Sequence, residues 1–124
     1  MGESILKINR VKNIFKRKVD SVRLKELIEK EEIIDFLKMD IEGAETAVLK
    51  DCSESLKIVK NLFVEFHSFV NQRQNLDELL SVLTKSGFRY FIKPAADRKI
   101  PFVNRINKNN PAMDLQLNIY AYRM

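Results

Sequence analysis

Two apolar runs dominate the pattern of this chain, and each ends in ionisable side chains. The first run occupies residues 33–41, and its apolar members are Ile33, Ile34, Phe36, Leu37, Met39 and Ile41. The second occupies residues 62–67 and reads LFVEFH. Nearly continuous apolar runs are typical of strands covered on both faces, as in parallel sheets. The pattern predicts two buried strands whose carboxyl ends carry polar groups.

Helical spacing follows each of these runs. After the first run, one apolar stripe consists of Ala44, Ala47, Val48 and Cys52, which predicts a helix over residues 44–52. After the second run, a clearer stripe consists of Leu76, Leu79, Leu80 and Leu83. Asn75 is placed to cap this helix, with Glu78 completing a capping box, and Gly87 is placed to end it. The two predicted strands are therefore each followed by a helix.

Weaker patterns complete the chain. Residues 19–24 predict a short edge strand, residues 24–32 a short helix, and residues 88–93 a strand that ends at Pro94. Residues 95–113 carry two more prolines and a polar run, which predicts a long loop. The final strand is indicated by apolar residues at alternate positions, namely Leu115, Leu117, Ile119 and Ala121.

The order of these elements predicts the fold class. Strands alternate with helices until the last one, which follows its neighbour through a loop alone. Such an order calls for right-handed crossovers and a mostly parallel sheet with an antiparallel final strand. We therefore expect an α/β domain with three layers.

Composition narrows the functional classes. The chain has 124 residues, which fits one small domain, and its single cysteine, Cys52, excludes an internal disulfide. The net charge of +5 comes from the first 25 residues, where eight Lys or Arg face only Glu3 and Asp20. We interpret residues 1–18 as a solvated basic segment and expect no nucleic-acid or membrane partner. Neither a signal peptide nor a long apolar segment is present, so we expect a cytoplasmic protein.

Candidate chemistry lies at the ends of the two apolar runs. Asp40 and Glu42 are two residues apart on an extended strand, so their side chains point to the same side, and Lys38 continues the row. Glu65 and His67 repeat this spacing on the neighbouring strand, and histidine is the side chain that titrates nearest to neutral pH.

Structural roles for the same residues stay open. Glu42 and Glu45 can stabilise a helix N-terminus, and Lys38 can form a salt bridge with Asp40. Asp40, Glu42, Glu65 and His67 also have ligand types that suit a divalent ion. Because they lack a tight ligand motif, we predict no metal.

Three segments together resemble a known family. The segments LKMDIEGAETAVLKD, LFVEFHSF and LDELLSVLTKSGFRYF resemble, in order and spacing, the C-terminal half of FkbM-type methyltransferases. The specific part runs from Lys38 to Glu45 and resembles the family's K-x-D-x-E-G-x-E signature. Glu65 and His67 resemble the E-x-H that follows it. The resemblance covers residues 19–122, so we divide the chain into a basic segment, 1–18, and a partial methyltransferase domain, 19–124.

The resemblance implies a fold, a cofactor and a set of roles. The fold would be the Rossmann-like methyltransferase sheet, of which this chain supplies the last four strands and an edge strand before them. The cofactor would be S-adenosylmethionine, and the acceptor a small hydroxylated metabolite or sugar that is methylated on oxygen. The resemblance assigns catalysis to Lys38, Asp40, Glu42 and His67, and substrate binding to Glu45 and Glu65. Within this set, Asp40 is the leading candidate for the base that removes the hydroxyl proton, or for orienting that hydroxyl, and His67 is the alternative base.

One departure from the family limits these expectations. The only glycines are Gly2, Gly43 and Gly87, which cannot form the glycine-rich loop that holds the cofactor. We therefore expect a C-terminal fragment that is inactive in isolation, and we identify no cofactor-binding residue. The alternative is a non-catalytic remnant or interaction domain that associates through an exposed sheet edge. Either reading favours a homodimer or a missing N-terminal half as partner.

Overall fold

Four strands form one sheet, and three of them point in the same direction. A computed structural model describes residues 21–40 and 43–124, except for the side chains of residues 21–23. The strands are β1 (Ile34–Met39), β2 (Val59–Phe69), β3 (Arg89–Pro94) and β4 (Met113–Tyr122). Their spatial order is β1-β2-β4-β3. β1 is parallel to β2, whereas β4 is antiparallel to both of its neighbours. The predicted mixed α/β sheet with an antiparallel final strand is therefore confirmed.

The helices pack side by side on one face of this sheet. They are α1 (Ser21–Glu29), α2 (Glu45–Asp51) and α3 (Leu76–Lys85), and a 3-10 helix (Ser53–Ile58) leads into β2. α2 lies between α1 and α3. The described residues thus show one helical layer on one sheet, and the third layer stays a prediction.

The core lies between that helical layer and the sheet. The strands supply Leu37, Met39, Leu62, Val64, Phe66, Leu117, Ile119 and Ala121, and the helices supply Leu24, Ile28, Val48, Leu49, Leu79 and Leu83. Complete burial of one such leucine or isoleucine side chain contributes about 1.5–3 kcal/mol. The opposite face of the sheet carries Lys38 of β1 and, because side chains alternate along a strand, Phe63, Glu65 and His67 of β2.

The predicted edge strand at residues 19–24 is wrong where the structure describes it. Residues 21–24 belong to α1, and residues 19 and 20 lie outside the described residues, as does the basic segment 1–18. Leu24 and Ile28 are fully buried and Leu27 packs against the same core, which is the spacing of one helix face. This apolar stripe outweighs the weak alternation of the preceding residues.

The ends of α3 confirm one prediction and correct another. Gly87 ends the helix with a φ of +88°, and the N–H groups of Gly87 and Phe88 donate to the carbonyls of Thr84 and Leu83. This is a Schellman motif, for which glycine is favoured. Asn75 precedes α3 as predicted, but its side chain does not cap the helix. Its Oδ1 instead accepts a hydrogen bond of 3.0 Å from the Thr46 hydroxyl on α2.

The predicted long loop between β3 and β4 is present and has its own internal order. The guanidinium of Arg98 donates to the carbonyl oxygens of Pro101, Arg105 and Asp114. The Asn107 N–H donates to the Met113 carbonyl at 2.7 Å. These bonds hold the loop against one end of the sheet, next to the site described below.

Among the described residues, no helix has both the length and the apolarity needed to cross a bilayer.

Candidate active site

Three ionisable side chains meet where β1 and β2 end. Asp40 directly follows β1, and Glu65 and His67 lie on β2. His67 Nε2 is 4.0 Å from Asp40 Oδ1 and 3.9 Å from Glu65 Oε1. Because the strands are parallel and in register, side chains at alternate positions share one face, which brings these three residues together.

Glu45 is buried directly behind the histidine. It is the first residue of α2, and its side chain is 1% exposed. Its carboxylate accepts hydrogen bonds from the N–H of Gly43 at 2.7 Å and from the N–H of His67 at 3.0 Å. The same carboxylate lies 3.4 Å from His67 Nδ1. Glu45 is thus placed to orient His67. A direct contact with substrate, which the sequence predicted for it, would need this buried carboxylate to move.

The turn before α2 depends on a glycine. Gly43 has a φ of +93°, a conformation that residues with a Cβ rarely adopt. A Cβ added there would lie 2.9 Å from the Phe69 ring. Gly43 therefore lets the chain turn sharply enough to bring Glu45 beneath His67.

The surroundings of His67 fix both its orientation and its proton affinity. Burial by itself lowers the pKa of the imidazole. The hydrogen bond that the ring donates to Glu45 and the charges of Glu45, Glu65 and Asp40 act in the opposite direction and prevail, so the pKa is raised above its usual 6.5. With Nδ1 turned to Glu45, the other ring nitrogen, Nε2, faces Asp40 and Glu65.

A cavity of about 370 Å³ opens in front of Nε2. Its lining joins the strand ends to the β3–β4 loop and comprises Asp40, Glu65, His67, Phe69, Ala95, Ala96, Asn107, Asn109, Asn110, Met113 and Gln116. Gln116 is opposite His67 in the β2–β4 register and donates a hydrogen bond to Glu65 Oε1. Sequence reasoning missed Gln116 and the loop asparagines. The alternation of β4 marked Gln116 as polar but gave no register against β2.

One predicted site residue, Lys38, stands apart from this cluster. The ammonium group of Lys38 lies 5.5 Å from the centroid of the Phe63 ring, a cation–π geometry. The alternative salt bridge between Lys38 and Asp40 is not formed among the described residues. Glu42 lies outside the described residues, and its predicted role stays a prediction.

The described residues do not fit the adenosyl group of a methyl donor. Their only glycines are Gly43 and Gly87. Gly43 turns the chain into α2 and has the Phe69 ring against it, and Gly87 ends α3. Neither glycine opens a backbone cradle of the kind that lets a nucleotide approach closely. The geometry instead provides a wall of ionisable and amide groups around a small cavity.

Comparison with known protein families gave a match, and it includes the motifs that form this site. The family model described as Methyltransferase FkbM domain matches residues 2–90. The match spans β1, α2, β2 and α3, and with them Asp40, Glu45, Glu65 and His67. It begins within the basic segment, so the proposed division at residue 18 stays a prediction. Searches of curated proteins and of solved structures gave no significant match. Since the family model covers more than two thirds of the sequence, the chain belongs to the methyltransferase FkbM domain family.

Proposed function

We propose that this chain forms the acceptor side of an S-adenosylmethionine-dependent O-methyltransferase acting on a small hydroxylated metabolite or sugar. Family membership supports methyl transfer as the reaction class. The observation that carries the proposal is the buried Glu45–His67 pair, whose free ring nitrogen faces a cavity between Asp40 and Glu65. A fixed imidazole aimed into a cavity is the arrangement that removal of a hydroxyl proton requires.

The roles of the residues follow from their positions. An acceptor hydroxyl in the cavity would donate its proton to His67 Nε2, which would make the acceptor oxygen a stronger nucleophile. Glu45 holds the ring through Nδ1, and Asp40 and Glu65 stabilise the imidazolium that forms. Asp40 was the leading base on sequence grounds. The geometry favours His67, because a buried carboxylate fixes the histidine whereas Asp40 is about one quarter exposed. General-base catalysis of this kind contributes about 10²–10⁴-fold.

The cavity also suits the proposed class of acceptor. Its volume of about 370 Å³ is at the small end of the range for ligand sites, which is roughly 300–1,000 Å³. Amides of Gln116, Asn107 and Asn110 line it and can both donate to and accept from hydroxyl groups. A single sugar ring or a comparable polyol matches this size and this chemistry.

The methyl donor is placed outside the described residues in this proposal. S-adenosylmethionine would supply the methyl group, and alignment of that group with the acceptor oxygen would supply much of the rate enhancement. Since the described residues do not fit the adenosyl group, we expect weak or no S-adenosylmethionine binding by the isolated chain. Calorimetry tests this directly, and micromolar binding with one site per chain would overturn the placement of the donor.

The acceptor site is tested through the single histidine. His67 is the only histidine in the sequence, so its ring signals in an NMR spectrum need no assignment. A panel of methyl glycosides and small polyols should contain ligands that shift these signals, and Asp40→Asn should weaken the response. Glu54→Gln, at a side chain that is 84% exposed, serves as the matched control and should change nothing. A panel that leaves the ring signals unmoved at millimolar concentration would refute the acceptor site.

A second candidate function rests on the edge of the sheet. Among the described strands, β1 is hydrogen-bonded on one side only, to β2. A free edge next to apolar side chains favours pairing with another chain, either a second copy or an N-terminal half. Light scattering after size exclusion separates these cases. A concentration-dependent dimer supports self-association, and a monomer at all concentrations rules it out.

A further inference from the structure

We propose that Asp40, Glu65 and His67, for which the sequence predicted no metal, bind a divalent transition-metal ion. Each residue offers one ligand atom, and these atoms lie within 4.8 Å of one another. They come from the ends of two paired strands, so the sheet fixes their backbones. Binding of the ion does not depend on the proposed function; only its catalytic consequence does.

The two ring nitrogens of His67 face different surroundings, which independently favours an ion at this position. Its side chain is 6% exposed overall, and among the described residues Nε2 makes no hydrogen bond. Because no buried side-chain nitrogen in that part of the chain lacks a partner, Nε2 is accessible from the cavity that His67 lines. Its nearest polar neighbours are the carboxylate oxygens of Glu65 at 3.9 Å and Asp40 at 4.0 Å. The other ring nitrogen faces the buried carboxylate of Glu45. A metal-ligating histidine is oriented in the same way, with one nitrogen on a carboxylate and the other on the ion.

Charge favours a cation at this point. Asp40 and Glu65 together carry two negative charges, which balance a divalent ion bound by a neutral imidazole. No lysine or arginine of the described ranges forms an ion pair with Asp40, Glu65 or Glu45. Among the described residues, His67 is the one group that forms ion pairs with these carboxylates, and it is cationic only when its ring is protonated.

Binding of an ion requires the ligand atoms to move closer together. Tetrahedral ligands at about 2.1 Å from an ion are ~3.4 Å apart. The distances from His67 Nε2 to Glu65 and Asp40 are 3.9 and 4.0 Å, and the two carboxylates offer ligand atoms within 4.8 Å of each other. The side chains of Asp40 and Glu65 are 25% and 22% exposed, so the core does not enclose them fully. The cavity leaves further positions for water or an acceptor oxygen.

The donor set points to one class of ion. Imidazole nitrogen suits Zn²⁺, Fe²⁺ and Co²⁺, whereas Mg²⁺ and Ca²⁺ prefer oxygen ligands alone. One nitrogen with two carboxylates therefore selects a first-row transition ion, with Zn²⁺ bound more tightly than Co²⁺ or Mn²⁺. At such an ion a bound hydroxyl loses its proton more readily. His67 would then act as a ligand instead of as the base, so the two chemistries are alternatives at one site.

The experiment uses the full chain, without a histidine tag and after chelator treatment. Co²⁺ is titrated while its visible absorption and the proton NMR spectrum of the ring are recorded. We expect one equivalent to bind and to shift the His67 signals far outside their usual range. Zn²⁺ should reverse the shift, and Ca²⁺ should not. No binding at millimolar Co²⁺, or binding that leaves the His67 signals in place, would overturn the proposal.

Variants assign the ion to these residues. His67→Gln and Glu65→Gln should weaken Co²⁺ binding at least as strongly as loss of Glu45, for which we expect about 10–100-fold. Glu54→Gln is the control for a carboxylate far from the cluster. Glu65→Gln keeps the test decisive should His67→Gln fail to fold, and unchanged affinity in Glu65→Gln would contradict the assignment. The glycoside panel is tested without metal, so failure of the metal site leaves the proposed function standing.

Discussion

Replacement of Glu45 by glutamine should destabilise the fold strongly, although it preserves the shape of the side chain. The carboxylate accepts from two backbone N–H groups, those of Gly43 at 2.7 Å and His67 at 3.0 Å, and it lies 3.4 Å from the imidazole. Hydrogen bonds to a charged group are worth about 1.5–3 kcal/mol each. Glutamine keeps one carbonyl oxygen but turns an NH₂ group toward a donor, which leaves a buried N–H without an acceptor.

The expected loss can be estimated from these contacts. One charge-assisted bond is lost and one buried donor is left unsatisfied, while removal of a buried charge offsets part of that cost. We expect the free energy of unfolding to fall by about 3 kcal/mol. With a urea slope of roughly 1–3 kcal/mol per molar, the unfolding midpoint would shift by about 1–3 M.

Urea unfolding followed by circular dichroism measures this change. Glu54→Gln is the control, because that side chain is 84% exposed and a change there should stay within about 0.5 kcal/mol. A Glu45→Gln protein as stable as the control would show that the carboxylate does not hold α2 and β2 together. A smaller slope of the free energy of unfolding against urea concentration, with an unchanged midpoint, would also contradict the prediction. The substitution is expected to change stability and not the surface area exposed on unfolding.

Three further predictions concern single residues. In chelator-treated protein, the pKa of His67 should lie above 6.5. The protonated ring then contributes fully to the free energy of unfolding below pH 6.5, and this contribution is lost as the pH rises through the pKa of the folded state. Urea midpoints that increase over that window would refute this sign. Gly43→Ala should lower the free energy of unfolding by about 1–3 kcal/mol, because a φ of +93° disfavours a residue with a Cβ and the added Cβ would lie 2.9 Å from the Phe69 ring. An unchanged melting temperature would contradict this. Burial raises the pKa of the Cys52 thiol to about 12, so a thiol reagent at about pH 8 should label it only after unfolding, and rapid labelling of folded protein would count against the buried position.

The site residues that the sequence predicted best are those that lie at the ends of strands. Asp40 and the Glu65–His67 pair each follow or end an apolar run, and parallel neighbours bring such ends to one edge of the sheet. Their convergence could therefore be expected from order and spacing alone. The role of Glu45 could not, because acids at the first turn of a helix usually face solvent and stabilise the helix dipole.

The remaining discrepancies have a common physical cause, since they depend on contacts between residues distant in sequence. Asn75 has a good local signal for capping, but the Thr46 hydroxyl on α2 competes for its side chain. Lys38 continues the row of Asp40 as predicted, but its ammonium group lies over the Phe63 ring on β2 and forms no salt bridge with Asp40 among the described residues. Gln116 enters the site only because β4 is inserted beside β2. No local pattern encodes that insertion.

The insertion of β4 between β2 and β3 also constrains the order in which the protein folds. β3 has no hydrogen-bonded neighbour other than β4 among the described strands, so it cannot join the β1–β2 pair directly. The contact between Glu65 and Gln116 spans 51 positions. Contacts of this sequence separation slow folding, because a long loop must close before they form. On a ribosome, β1 and β2 would therefore wait with one side of β2 unpaired until residues 113–122 emerge. During that interval the cavity around His67 would lack its Gln116 wall, so site assembly and sheet closure would be the same late event.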